Sequence, residues 1–153
     1  AIAGGGLVLV FALWWLYFAQ PAGEGLVAHR EGSFRWGYGH YGVFAALVAL
    51  GAGLEVAIEQ TGHPLAASDL TVATAVAAPV ALFLALVWVV DRPIVDRPIC
   101  HPAANLAGAA VALILPLATP AVGVAGVVVG LAAVAGLLVV TTVLSQPEPR
   151  PGH

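Results

Sequence analysis

Ionisable side chains at both ends of one long apolar stretch are the first candidates for chemistry in this sequence. The stretch WGYGHYGVFAALVALGAGLEVAIEQ, residues 36–60, carries His40 near its start and Glu55 and Glu59 near its end. An imidazole can take up or release a proton in the physiological range, and intramembrane carboxylates often carry protons or cations. Because such groups are costly in lipid, we expect this segment to be a helix that faces a bundle interior or a water-filled path.

The spacing of these residues limits what they can do together. Glu55 and Glu59 are four residues apart, so a helix places both carboxylates on one face, one turn apart, where joint ionisation is disfavoured. Glu55 lies deeper and is the better candidate for a proton or cation carrier. The alternative is that both acids simply reach the outer headgroup region.

His40 and Glu55 cannot touch, because fifteen residues of helix separate them by about 22 Å and about 60° in azimuth. They belong either to opposite ends of one aqueous path or to two unrelated structural roles. Tyr41, next to His40, is a further candidate for lining such a path.

Composition places the chain in a membrane. Of its 153 residues, 61% are hydrophobic and 8% are charged, about a third of the roughly 25% charge of soluble domains, and mean hydropathy is +0.99. These values exclude an ordinary soluble globule and a disordered chain. A net charge of -3, with five arginines and no lysine, offers no basic face for nucleic acid.

Sequence signatures of enzymes and metal sites are missing. The chain has no GxGxxG that follows a strand and opens a helix, and it has no P-loop, nucleophile elbow or HExxH motif, which predicts no enzyme activity, no catalytic residue and no cofactor. Its single cysteine, Cys100, precedes His101, but two ligands do not make a zinc site. We therefore predict no metal.

Hydropathy divides the chain into five apolar spans, which predicts an all-α polytopic transmembrane helix bundle. The predicted spans are 2–19, 38–58, 70–90, 103–118 and 121–144. The fourth is short and ends at the Pro116 to Pro120 break, so spans four and five form a tight hairpin or include a re-entrant segment. The Pro-rich tail, 146–153, is predicted to be disordered and cytoplasmic.

Arginine positions predict the orientation. In the five-span arrangement all five arginines fall on one side, and positive charge is retained on the cytoplasmic side. We therefore expect a multi-pass protein of the plasma membrane, with the N-terminus of this segment outside and the C-terminus inside.

Aromatic residues gather where the first span ends and the second begins. One interpretation is an interfacial aromatic belt, and the other is that some of the rings pack around His40 and line a site. The cluster comprises Trp14, Trp15, Tyr17, Trp36 and Tyr38.

Small residues predict close helix packing. Gly51 and Gly53 thin the second span, and Gly126 and Gly130 form a GxxxG spacing in the fifth. Pro79, near the middle of the third span, frees a backbone carbonyl, for which we favour a packing role over a binding site.

The same motifs resemble a known family. WWLYF at the end of one helix, an arginine-containing loop, then YGHY opening a helix that closes with GAGLE are similar to the bacterial low-temperature-requirement A (LtrA) family over roughly residues 7–91. The resemblance implies a longer polytopic protein, of which this chain would be the C-terminal half, and a link to growth in the cold. The family pattern often has an acidic residue after WWLYF, where this chain has Ala19, which predicts altered activity if that carboxylate takes part.

Three classes of function remain as alternatives. The first is a transporter or channel-like protein in which Glu55, His40 and Tyr41 line a polar path. The alternative is a non-transporting assembly or stress-adaptation component that packs against partners, either further transmembrane helices of the same protein or a second copy, within the lipid bilayer. An intramembrane enzyme with His40 as base ranks last, because no second catalytic group is evident.

Overall fold

A computed structural model describes residues 1–19, 33–63, 66–92 and 101–145. Several predictions concern segments outside the described residues. These segments are most of the first arginine-containing loop, the Asp-Arg-Pro repeat with Cys100, and the tail, at 20–32, 93–100 and 146–153.

Helices account for the described chain, and no strand occurs within it, which confirms the all-α prediction. A 3-10 turn, Leu115–Ala118, joins the fourth and fifth helices. The helices are α1 (Ile2–Phe18), α2 (Ser33–Gly62), α3 (Asp69–Asp91), α4 (Pro102–Ile114) and α5 (Thr119–Leu144).

Two of these helices begin at recognisable local signals. The Ser68 hydroxyl accepts a hydrogen bond from the Thr71 backbone N–H at 3.2 Å and caps α3. Pro102 opens α4, where a missing N–H costs nothing, and His101 Nδ1 accepts from the Ala103 N–H at 3.3 Å. The polar residues that interrupt the apolar runs thus also start the helices.

α2 and α3 form a closely packed antiparallel pair. A Cβ built on Gly42 would lie 3.0 Å from a Leu86 methyl group, and one built on Gly53 would lie 2.5 Å from the Ala75 carbonyl oxygen. Residue numbers increase along α2 while those of the contacting residues in α3 decrease, so the two helices run in opposite directions. This register shows which residues of α2 and α3 lie at the same level along the bundle.

The chain reverses direction between α4 and α5. A straight helix over Pro102–Leu144, 43 residues, would be about 64 Å long, twice a bilayer core. Instead Gly108 contacts Leu138, and Gly130 contacts Leu115. The 3-10 turn and Gly123, whose φ of 67° suits glycine, break the helix between the two arms. This is the hairpin that the Pro116 to Pro120 break predicted.

Length and apolar composition identify three candidate spanning segments, with α1 as a shorter apolar helix of 17 residues. The three segments are Trp36–Gly62, Asp69–Val90 and the hairpin-containing Pro102–Leu144. The five-span count therefore stays a prediction, to which the reversal at Gly123 lends support.

The core lies around α3, which packs against α2, α4 and α5, while α1 packs mainly on α5. Within the described residues, the buried polar side chains are His40, Asn105, Thr119 and Thr142. The Asn105 amide donates to the Leu84 carbonyl at 2.8 Å and joins α4 to α3. The rest of the buried core is apolar, so the described bundle encloses no continuous polar path.

Candidate functional site

The bundle has two chemically different ends. At one end lie Trp36 of α2 and Arg92 of α3, whose guanidinium sits 5.1 Å from the Trp88 ring centroid. We call this the arginine end. At the other, the acidic end, the Gln60 amide donates to Asp69 Oδ1 at 2.7 Å and links α2 to α3.

His40 is buried at the arginine end, with 8% of its surface exposed. Its Nδ1 lies 2.5 Å from the Trp36 carbonyl oxygen, one turn back on α2, so Nδ1–H donates to that oxygen. The ring centroids of Trp36, Tyr17 and Phe44 lie 4.1, 5.7 and 6.1 Å from that of His40. We call these four residues the His40 cluster.

The His40 cluster joins two helices, because Tyr17 comes from α1 and the other three residues from α2. Trp36 Nε1 is buried and has no hydrogen-bond partner within the described residues, which marks this cluster as incompletely satisfied there. Phe44 was not among the sequence candidates, although its position one turn beyond His40 could have indicated it.

The other aromatic candidates face outward. Trp14 packs on Phe18 at 5.1 Å, and Tyr38 packs on Phe34 at 4.4 Å and on Tyr41 at 6.0 Å. All five are exposed, as interfacial belt residues are. Trp15 instead packs, half-buried, against the core. Both interpretations of the aromatic cluster stay predictions: the exposed rings suit an interfacial belt, and the rings around His40 suit a site.

Glu55 and Glu59 lie on the outside of the bundle rather than in its interior. Among the ionisable candidates on α2, only His40 is buried in the described bundle. Neither carboxylate has a hydrogen bond or an ion pair within the described residues. His40 and Glu55 therefore do not share one enclosed path in the described bundle.

The depth of Glu55 follows from the α2–α3 register. Since Gly53 meets Ala75, Glu59 is level with Asp69 and Glu55 lies one turn, about 6 Å, inside the acidic end. From Trp36 to Glu55 the helix rises about 29 Å, close to the thickness of a bilayer core. A hydrocarbon core that begins at the level of Trp36 would therefore end near Glu55.

The exposed side of α2 forms a continuous stripe, which we call the outer face. Its residues recur in alternating steps of three and four, and small side chains occupy its middle. The outer face comprises Tyr38, Tyr41, Ala45, Val48, Ala52, Glu55 and Glu59.

Pro79 and Gly53 act together at the α2–α3 contact. Pro79 has no N–H to donate to the Ala75 carbonyl one turn back in α3, and Gly53 of α2 packs directly on that carbonyl. A glycine hydrogen faces the oxygen, in the manner of a Cα–H···O contact. This arrangement supports the packing interpretation of Pro79.

The other glycine candidates have different surroundings. Gly51 is exposed with nothing within 4 Å of a built Cβ, Gly126 faces Val122 in its own helix, and Gly130 meets Leu115 across the hairpin. Close approach between helices therefore involves Gly53 and Gly130.

A groove lies between α1 and α2 beside the His40 cluster. It encloses a cavity of about 360 Å³ and its lining is almost wholly apolar. Its rim is exposed, whereas its floor is buried, so the groove opens sideways from the bundle. Val10, Trp14, Phe18 and Phe44 form the rim, and Val43 and Phe83 form the floor.

Within the described part of the chain, no three His, Cys, Asp or Glu side chains come together as metal ligands. His40, His63 and His101 lie in separate places, on α2, after α2 and before α4.

Comparison with protein families matches residues 1–145 to the model of the bacterial low temperature requirement A protein (LtrA). The match covers nearly the whole chain, including the Gly-rich hairpin beyond the motifs that first suggested it. Comparisons with curated proteins and with solved structures give no match.

Proposed function

Since this chain belongs to the bacterial low temperature requirement A family and is an integral membrane protein, we propose that it forms part of a transport pathway along the outer face of α2. Glu55 is the proton or cation carrier at the entrance of this pathway. One observation carries the proposal: an exposed carboxylate, unpaired within the described residues, lies one turn inside the acidic end.

The pathway is completed by helices that cover the outer face. Further transmembrane helices of the same protein or a second copy can supply them, and the small side chains of Ala45 and Ala52 allow close approach. In this proposal Tyr41 and Glu59 lie on the same face as Glu55, whereas His40 faces α1. His40 is therefore a packing residue and not part of the path.

The cellular setting is part of the same proposal. The protein is a multi-pass protein of the bacterial plasma membrane, with this segment crossing five times, its N-terminus outside and its C-terminus in the cytoplasm. The distribution of arginines supports this orientation.

A second candidate is a non-transporting assembly component acting in stress adaptation. The outer face favours this second candidate, because a face of small residues that repeats every three and four residues is suited to packing against another helix. In this case the carboxylates are headgroup residues.

Flux through proteoliposomes tests the first proposal. We expect Glu55→Gln to abolish proton-coupled or cation flux at matched insertion, while Glu59→Gln, one turn nearer the headgroups, keeps most of it. Equal flux in the wild type and Glu55→Gln would rule out the carboxylate as carrier.

Wild-type protein without flux across a broad solute panel would favour assembly instead. Cysteine cross-linking through Val48→Cys would then report a neighbouring helix on the outer face. Adding Ala52→Leu should reduce that cross-link if small side chains set the approach.

A further inference from the structure

We propose that the groove between α1 and α2 holds one acyl chain of a membrane phospholipid. The groove was not among the predicted sites, and it lies on a different side of α2 from the outer face. The proposal is thus independent of whether Glu55 carries ions.

The shape of the groove favours a slender apolar occupant. A volume of about 360 Å³ is within the range of small-molecule sites. A helix about 10 Å across would fill that volume with only about one turn of its length. An extended hydrocarbon chain, in contrast, can lie along the groove between Val10 and Phe18, which are separated by about 12 Å of helix rise.

The surroundings of the groove identify the source of that chain. Val43 and Phe83 on the floor are each 1% exposed, whereas Trp14 and Phe44 on the rim are 55% and 56% exposed. The opening therefore faces sideways, at the depth where α2 crosses the bilayer, and lipid is the molecule that meets it there.

The arginine end of the groove suits the polar part of a phospholipid. Trp14 lies at this end, packed on Phe18, and its amphipathic indole ring prefers the headgroup level. Tyr17 and Phe44 line the groove and also contact His40, so the groove ends against the His40 cluster. A chain seated here has its glycerol and headgroup at the interface and its tail towards the middle of the membrane.

α1 and α2 approach closely towards the acidic end. There Gly6 lies against Leu54, with a built Cβ 3.1 Å from the leucine methyl group. Towards the arginine end, the side chains of Trp14, Tyr17 and Phe44 keep the two helices apart. An acyl chain in the groove supplies the van der Waals contacts that α1 and α2 do not make with each other there.

Lipid retention measured by native mass spectrometry tests this inference. The full chain is purified in detergent and incubated with dioleoylphosphatidylglycerol, and bound lipid is counted per chain. We expect wild type to retain one lipid, and Leu47→Trp, which fills the groove, to lose it by roughly tenfold in apparent affinity. Leu137→Trp is the matched control, because Leu137 is 64% exposed and belongs neither to the groove lining nor to the outer face, and it should retain the lipid.

A second variant that fills the groove distinguishes loss of the lipid site from misfolding of the protein. Val10→Trp places the same bulk on the α1 rim, at a residue already 42% exposed, and should also lose the lipid. Equal retention in Leu47→Trp, Val10→Trp and Leu137→Trp would overturn the proposal. So would absence of retained lipid from wild type, or a disulfide between two copies through Phe44→Cys, which would show that a second chain covers the groove.

Discussion

α2 has two neighbours that it meets in different ways. Against α3 it carries Gly42 and Gly53, and its backbone comes into contact with the Ala75 carbonyl. Against α1 it carries His40 and Phe44, and a groove of about 360 Å³ remains. One helix thus makes a closely packed contact on one side and an open contact on the other.

The difference shows how apolar helices are held together when surrounding lipid is as apolar as their side chains. Without a hydrophobic driving force between helices, close packing and buried polar contacts stabilise a pair. Glycine permits close packing at the α2–α3 contact. At the α1–α2 contact, aromatic rings around His40 provide the main contact at the arginine end.

The largest effect is expected where the backbones meet. Gly53→Ala places a methyl group 2.5 Å from the Ala75 oxygen and 2.9 Å from its carbonyl carbon, and backbone atoms cannot rotate away. We expect a loss of about 3 kcal/mol in the free energy of unfolding, measured by denaturant titration in mixed micelles. Unchanged stability would mean that α2 and α3 are less closely packed than described.

Removing the aromatic contact should have the next largest effect. His40→Ala removes ring contacts with Tyr17, Trp36 and Phe44 and leaves a space beside the groove. We expect a loss of about 2 kcal/mol and a change in tryptophan fluorescence. Tyr41→Ala, at a residue 73% exposed, is the control and should be nearly silent. Equal losses in both variants would contradict a packing role specific to His40.

The contact between α3 and α4 allows a polar hydrogen bond to be compared with the other two helix contacts. Asn105→Leu removes the amide that donates to the Leu84 carbonyl and should cost about 1 kcal/mol, because such bonds between membrane helices contribute modestly. Asn105→Gln is a test of geometry, since its longer side chain must reach the same oxygen. A loss as large as that of Gly53→Ala would make polar bonding, rather than backbone approach, the main contact of α3.

The smallest changes in stability are expected for substitutions of two other glycines, Gly6 and Gly51. Gly6→Ala meets only the movable end of Leu54, at 3.1 Å, and should change stability by less than about 1 kcal/mol. Gly51→Ala meets nothing and should be neutral or stabilising by up to about 1 kcal/mol through helix propensity. The same titration gives the order Gly51, Gly6, Gly53; a different order would show that contact distance does not set the cost.

Some features of the bundle could be predicted from the sequence and some could not. Long apolar runs demand helices because backbone groups in lipid must be paired within the chain, and the Pro116 to Pro120 break indicated a reversal. The family resemblance, first supported by residues 7–91, is confirmed over 1–145. Glu55 is exposed in the described bundle, and its place on a polar path or in the headgroup region stays a prediction, because an ionisable residue near the end of a span can reach headgroups as well as protein.

The sequence by itself determined the membrane setting, the helical class and the interruptions between helices, since these depend on hydropathy and on Gly and Pro at local positions. Only the tertiary structure decided which face of α2 is buried. In a helix that is apolar all round, periodicity does not distinguish the side that packs on protein from the side that meets lipid. For that reason Gly51 and Gly53 look alike in the sequence, yet one is exposed and the other touches the backbone of α3.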